Sequence, residues 1–224
     1  MKSECLKITV AVITILAALA GCATERYISP TLSETPRTGL GLKTPVLSAV
    51  FDGRASQEPK DAASKLEADL RRVYGPSIEW NDYFTKTPPG RVAVRVRLVT
   101  LGASFGNRLV STVAFANAVS SARGNATGVW GTVVGNVSAQ QSLFAGSFSG
   151  EGWWNGAAWI DVEVQDYRGD KAISFTVPIV AEHRESNMWG YTSGDKAVRT
   201  AWQRASVQLT RAMDSILRAV RDQE

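Results

Sequence analysis

The sequence has few of the residues that metal sites and thiol chemistry need. Its 224 residues include two cysteines, Cys5 and Cys22, and one histidine, His183. A zinc site takes several cysteine or histidine ligands and a calcium site takes a clustered acidic loop, so we expect no metal and no cofactor. A serine triad needs a histidine base, and no serine motif accompanies His183. We therefore expect a protein that is not an enzyme, a cell-wall hydrolase included, with His183 at the surface.

The amino-terminal end has the layout of a signal peptide. Lys2 and Lys7 precede an apolar run at 8–20. This run of about 13 residues is shorter than the roughly 20 that a transmembrane helix needs. The pattern predicts a signal peptide at 1–21 that is removed after targeting.

The apolar run ends in Leu19-Ala20-Gly21-Cys22, which resembles the lipobox of bacterial lipoproteins. The resemblance implies cleavage between Gly21 and Cys22 and a diacylglycerol thioether on Cys22, with palmitate-type acyl chains. Ala23 stands where an aspartate commonly retains such proteins in the inner membrane, so the resemblance implies an outer-membrane anchor facing the periplasm. Acyl chains contribute about 0.8 kcal/mol per buried methylene, which anchors a chain without a transmembrane helix. With Cys5 removed and Cys22 acylated, the mature chain has no disulfide.

The rest of the chain divides into a tether and one domain. Residues 22–44 contain prolines, serines and threonines without apolar periodicity, which predicts a lipidated tether. Residues 45–224 are long enough to bury one core, so we expect a single periplasmic domain. The formal net charge is +4, and export makes nucleic acid an unsuitable partner for this small basic surplus.

Hydrophobic periodicity predicts an α+β domain. The predicted elements are strand 45–52, helix 60–74, a short strand at 78–82, strand 91–101, strands 158–165 and 173–179 around a turn at 167–170, and a last helix capped by Thr192 or Ser193 and ending near 221. They predict an antiparallel-dominated sheet of 4–5 strands with two helices on one face, in the order β-α-β-β-β-α. The alternating charged residues should then face outward: Arg91, Arg95, Arg97, Asp161 and Glu163.

Residues 102–156 form a long insertion that is rich in glycine and aromatic residues and nearly free of charge. The sequence does not indicate its structure. Tryptophan suits interfaces because its ring is broad and apolar with one hydrogen-bond donor. The aromatic residues in and beside the insertion are therefore a candidate interaction site, against the alternative that they close one end of the core: Trp130, Phe144, Phe148, Trp153, Trp154 and Trp159.

The order of elements over about 45–221 resembles small outer-membrane lipoproteins of Gram-negative bacteria. These include penicillin-binding-protein activators, the amino-terminal domain of TolB, the curli secretion lipoprotein and YajG-type lipoproteins. Function does not follow from fold alone. An exposed sheet face with charges and a tryptophan-bearing insertion indicates a binding role, so we expect a non-enzymatic outer-membrane lipoprotein whose periplasmic domain binds a protein or an envelope polymer such as peptidoglycan. The alternative is an oligomeric subunit of a secretion or channel-like assembly that places residues 102–156 at the membrane, where strands of about 10 residues would fit twice.

Overall fold

The computed structural model describes residues 25–26, 28, 31–32, 49–51, 62–75, 78, 89–106, 130, 132–133 and 152–223. The predicted signal peptide, Cys22, Phe144, Phe148 and most of the predicted strand at 78–82 lie outside these residues. The elements in chain order are β1 (Glu25–Arg26), β2 (Ala49–Phe51), α1 (Ala62–Tyr74), β3 (Val92–Phe105), β4 (Trp153–Asp166), β5 (Ile173–Ser186), a 3₁₀ turn (Asn187–Trp189) and α2 (Tyr191–Arg221).

The fold is α+β, and its sheet has three long antiparallel strands, β3, β4 and β5, of 14 residues each. The predicted α+β class is confirmed, with fewer long strands than the 4–5 predicted. The short strands β1 and β2 both pair with β3, β1 antiparallel at Ala103 and Ser104 and β2 parallel at Val94 to Val96. From β2 onward the elements follow the predicted order β-α-β-β-β-α.

The strands form because apolar and polar residues alternate, which suits a sheet with one buried face. Val94 and Val96 of β3 stand beside Val164 and Val162 of β4 and are fully buried. Both strands are longer than predicted, since β3 continues to Phe105 and β4 begins at Trp153. The two ends of the predicted insertion therefore belong to the sheet.

Helix α2 covers the buried face of the sheet, and α1 packs into the same core. The buried stripe of α2 is rich in small residues, among them Ala197, Ala201 and Ala205, which let the helix lie close to the strands. The helix begins at Tyr191 after Gly190, whose φ is 54°, and not behind a Thr192 or Ser193 cap. The Ser193 hydroxyl instead accepts a hydrogen bond from the Trp189 amide at 3.2 Å.

Helix α2 approaches the sheet closely at Gly156 of β4. A Cβ atom at this position would lie 2.3 Å from both the carbonyl carbon and the carbonyl oxygen of Ala197. Backbone atoms cannot yield as the end of a flexible side chain can, so only glycine fits here.

A polar network closes the far end of the sheet, where β4 ends. Asp166 accepts hydrogen bonds from Arg168 at 2.8 Å and from the Trp130 indole nitrogen at 2.9 Å. Arg168 also donates to the Val220 carbonyl near the end of α2 at 3.1 Å. Burial alone would raise the pKa of Asp166, but the hydrogen bonds from Arg168 and Trp130 outweigh it and hold that pKa below its usual value. The network ties the β4–β5 turn, α2 and the insertion together.

The described part of the segment predicted as a tether packs against the domain. Glu25 and Arg26 pair with β3, and Leu32 is 4% exposed in the core. The Trp202 indole nitrogen donates to the Thr31 carbonyl at 2.7 Å, and the Leu32 amide donates to Asp69 of α1. Some residues of the predicted tether at 22–44 therefore pair with the sheet or contact the core: Glu25, Arg26, Thr31 and Leu32.

Replacing Gly156 by alanine should destabilise the domain by about 1–3 kcal/mol, the range for an extra methyl group forced into a packed core. The methyl group would overlap the α2 backbone and push the helix off the sheet. Gly169→Ala is the control, since the nearest atom to its added Cβ is 3.9 Å away in an exposed turn. Urea unfolding measures both; equal stabilities of the two variants would contradict the close approach.

Candidate functional site

The face of the sheet that points away from α2 carries the candidate site, and we call it the outer face. Alternate residues of β3, β4 and β5 form it in rows that run across the three strands. At the register irregularity between Leu98 and Thr100, β3 has one residue more than β4, so the outward residues of β3 change from odd-numbered to even-numbered positions. The polar and aromatic members of the outer face include Arg95, Arg97, Thr100, Ser104, Trp153, Asn155, Trp159, Asp161, Glu163, Glu182 and Arg184.

The charged residues in the middle of the outer face are paired with each other. Glu163 accepts hydrogen bonds from Arg95 at 2.8 Å and forms an ion pair with Arg97 at 2.8 Å. Asp161 accepts a hydrogen bond from the Trp159 indole nitrogen at 2.9 Å. Burial raises the pKa of Asp161, although Trp159 and Arg97 act in the opposite direction. This part of the outer face satisfies its own charges.

The structure separates the predicted aromatic cluster into two groups. Trp130 and Trp154 are buried at 1% and 3% exposure, with Trp130 against Phe175 and Trp154 against Phe105. Trp153 and Trp159 lie on the outer face, and Trp153 is 37% exposed. Trp130 contacts the far end of β4, on the order of 40 Å from Trp153 along a 14-residue strand. The buried pair supports the core, and the outer pair remains available to a partner.

One row of the outer face holds three polar atoms without hydrogen-bond partners in the described part of the chain. Ser104, Asn155 and Arg184 are neighbours on β3, β4 and β5. The Ser104 hydroxyl, the Asn155 side-chain carbonyl and the Arg184 Nε atom are buried and unpartnered. The Arg184 guanidinium lies 4.2 Å from the centre of the Trp153 ring, in cation–π contact. Such groups cost about 1–3 kcal/mol each when left unpaired, so each calls for a partner.

Glu182 lies beside this row on β5 and is 9% exposed. Burial raises the pKa of Glu182 to about 7. Among the residues the structure describes, no hydrogen bond or ion pair reaches its carboxyl group. Near neutral pH this carboxyl is therefore partly protonated and can donate a hydrogen bond as well as accept one.

His183 is half-buried on the α2 side of the same strand. Its Nε2 atom lies 3.1 Å from Glu185, which also pairs with Lys196 at 2.9 Å. The Lys196 and His183 hydrogen bonds hold the pKa of Glu185 below its usual value. Glu185 is the only described hydrogen-bond partner of His183, and no serine or threonine hydroxyl is bonded to this pair. Within the described ranges, no group of three or more His, Cys, Asp or Glu residues is placed to hold a metal ion.

Sequence reasoning missed the most exposed large apolar residues of the described part of the chain. Met188 and Trp189, in the turn between β5 and α2, are each 74% exposed. The signal that could have found them is the absence of charge from Ser186 to Gly194, directly after a strand with polar residues. Neighbouring exposed apolar side chains can mark an interaction site.

No family model, curated protein or solved structure matches this chain. The resemblance to outer-membrane lipoproteins therefore remains a prediction from the sequence. Over the described residues, no helix combines the length and the apolar character needed to cross a membrane.

Replacing Glu182 by glutamine should remove one source of pH-dependent stability. The carboxyl ionises near 4.5 in the unfolded chain and near 7 in the folded one. Below pH 4.5 the carboxyl is neutral in both states and does not lower the free energy of unfolding. As the pH rises through 7 that stability is lost, because the folded state resists ionisation. Each pKa unit corresponds to about 1.4 kcal/mol, so at pH 8 we expect Glu182→Gln to be about 1–3 kcal/mol more stable than the wild type.

The measurement is urea unfolding of both proteins at pH 4.5 and pH 8. The two should be similar in stability at the lower pH and should diverge at the higher one. A constant difference between the two proteins across this range would show that Glu182 is not desolvated.

Proposed function

We propose that the chain is a non-enzymatic outer-membrane lipoprotein, anchored through Cys22 after cleavage at Gly21, whose periplasmic domain binds a protein or an envelope polymer. The binding surface is the outer face around Trp153 and Arg184. The Leu19–Cys22 pattern supports the anchor, and the geometry of the outer face supports the binding role.

The observation that carries the binding role is the row of Ser104, Asn155 and Arg184. Its Ser104 hydroxyl, Asn155 side-chain carbonyl and Arg184 Nε atom are buried without partners in the described residues. They lie beside the exposed Trp153 ring on which Arg184 stacks. Exposed aromatic faces with adjacent hydrogen-bonding groups suit both sugar rings and protein surfaces. Trp153 and Arg184 are also residue types that dominate binding energy at interfaces.

A channel-like assembly receives less support. That alternative requires residues 102–156 to reach the membrane as hairpins. The middle of the segment, at Trp130, is instead buried against Phe175 and bonded to Asp166 at the far end of the domain. Extracting Trp130 would expose a large aromatic ring and leave the Asp166 carboxyl with one donor fewer.

The anchor is tested by replacing Cys22 with serine, which removes the only thiol that the lipobox pattern can acylate. We expect the variant to leave the membrane fraction, and we expect the wild type to lack residues 1–21 and to carry acyl mass on Cys22. Cys5→Ser is the matched control, since Cys5 lies in the predicted signal peptide and should not affect acylation. An unmodified Cys22 in the native product, found by mass spectrometry, would refute the anchor.

The binding face is tested with a photoreactive residue at Thr100, which stands opposite Trp159 in the same row. Irradiation of intact cells should yield a crosslinked protein or glycan. Trp153→Ala and Arg184→Ala should each lower the yield by about 10-fold, as for residues that contribute more than roughly 1.4 kcal/mol to binding.

Tyr167→Ala is the control for this experiment, since Tyr167 has the same 37% exposure as Trp153 but lies at the other end of β4. If Tyr167→Ala lowers the yield as much as Trp153→Ala does, the outer face is not the binding surface.

A further inference from the structure

The amino-terminal chain and the most exposed apolar residues meet at one end of the sheet. β1 runs antiparallel to β3, with Glu25 opposite Ser104 and Arg26 opposite Ala103. The direction from Arg26 back to Glu25 therefore points toward the end of the sheet where β3 finishes at Phe105. β4 begins at this same end with Trp153, which pairs with Ser186, the last residue of β5. Met188 and Trp189 follow directly after Ser186.

Only two residues separate Cys22 from Glu25, so the length of the chain limits the distance of Cys22 from this end. Three residue steps of extended chain span at most about 11 Å. β1 and β5 are separated by β3 and β4, which at about 4.8 Å per strand places the Met188 turn roughly 14 Å across the sheet from β1. An acyl group on Cys22 and the exposed turn can therefore reach one flat surface.

The chemistry of this end suits the interface of a lipid bilayer. Met188 and Trp189 are each 74% exposed, and tryptophan is enriched at the depth of lipid headgroups. No charged residue occurs from Ser186 to Gly194, from Leu98 to Asn107 or from Gly152 to Ile160, the segments that end or begin here. Among the described charged residues near this end, Glu185 pairs with Lys196, Arg184 lies over the Trp153 ring, and Glu25 and Arg26 belong to β1. The headgroup layer is itself charged and hydrated, so charged groups at that depth keep water or lipid headgroups as partners.

We infer that the domain rests directly on the phospholipid bilayer that holds its lipid anchor, with Met188 and Trp189 in the headgroup region. This inference rests on the proposed acylation of Cys22. The strands then stand upright on the membrane, and the network of Trp130, Asp166 and Arg168 lies on the order of 40 Å above it. The outer face is presented sideways, within reach of a partner close to the membrane.

The test uses the full acylated protein in phosphatidylethanolamine and phosphatidylglycerol vesicles. The cysteines of the sequence are Cys5, in the predicted signal peptide, and Cys22, whose sulfur is a thioether once it is acylated. Met188→Cys therefore introduces a single thiol for an environment-sensitive fluorophore. Tyr167→Cys supplies the matched control at the far end of β4. We expect the label at 188 to shift its emission to shorter wavelength on reconstitution and to be quenched by nitroxides on lipid headgroups, while the label at 167 does neither.

Mass spectrometry of the same sample separates the possible failures. If Cys22 is acylated and the label at 188 stays as exposed to water as the label at 167, the bilayer contact is wrong and the anchor stands. If the label at 188 shifts without quenching by lipid nitroxides, a second copy of the chain covers the turn, and the inference is overturned. If Cys22 is not acylated, both the anchor and the bilayer contact are wrong. Both labelled positions are exposed, so neither substitution removes a core contact.

Discussion

Helix α2 lies against β4 with no side chain between the two backbones at Gly156, and much of the fold depends on that approach. The small residues Ala197, Ala201 and Ala205 keep the helix near the sheet along the following turns. Because the 31-residue helix then runs the length of the strands, its carboxyl-terminal end reaches Arg168 and the turn after β4. One close contact at one end and one polar network at the other thus fix the helix along the whole sheet, without a disulfide between described residues.

The alternation in β3, β4 and β5 made the sheet predictable, but only where polar and apolar residues contrast. Val92 to Leu98 and Ile160 to Gln165 show this contrast, and the strands were predicted there. From Trp153 to Trp159 the residues are mostly small or aromatic, so the alternation that places Trp154 inward and Trp153 outward has no signature in residue type. The irregularity between Leu98 and Thr100 also changes which residues of β3 face inward beyond it, and no proline or glycine there announces it.

The same limit explains why Trp130 and Trp154, two of the four described residues of the predicted aromatic site, lie in the core. Two adjacent tryptophans in a strand must point to opposite faces, so Trp153 and Trp154 could not both belong to one surface. Trp130 is buried through contacts with Asp166 and Phe175, which are more than thirty residues further along the chain. Long-range contacts of that kind leave no local periodicity to detect. Met188 and Trp189 were missed for the opposite reason, since their turn has no periodicity at all.

Pairing of Glu25 with β3 changes what an anchored domain of this kind can do. A flexible tether of about twenty residues would let the outer face sample every orientation, with a root-mean-square reach of roughly 25 Å. Under the proposed acylation of Cys22, the chain joins the sheet three residues after the anchor, which would leave little rotational freedom and would hold the face that carries Trp153 and Arg184 within a narrow range of angles to the bilayer. Less orientational entropy is then lost when a partner on the same membrane is bound. The same restriction works against partners that approach from far above the membrane, because the outer face cannot turn upward to meet them.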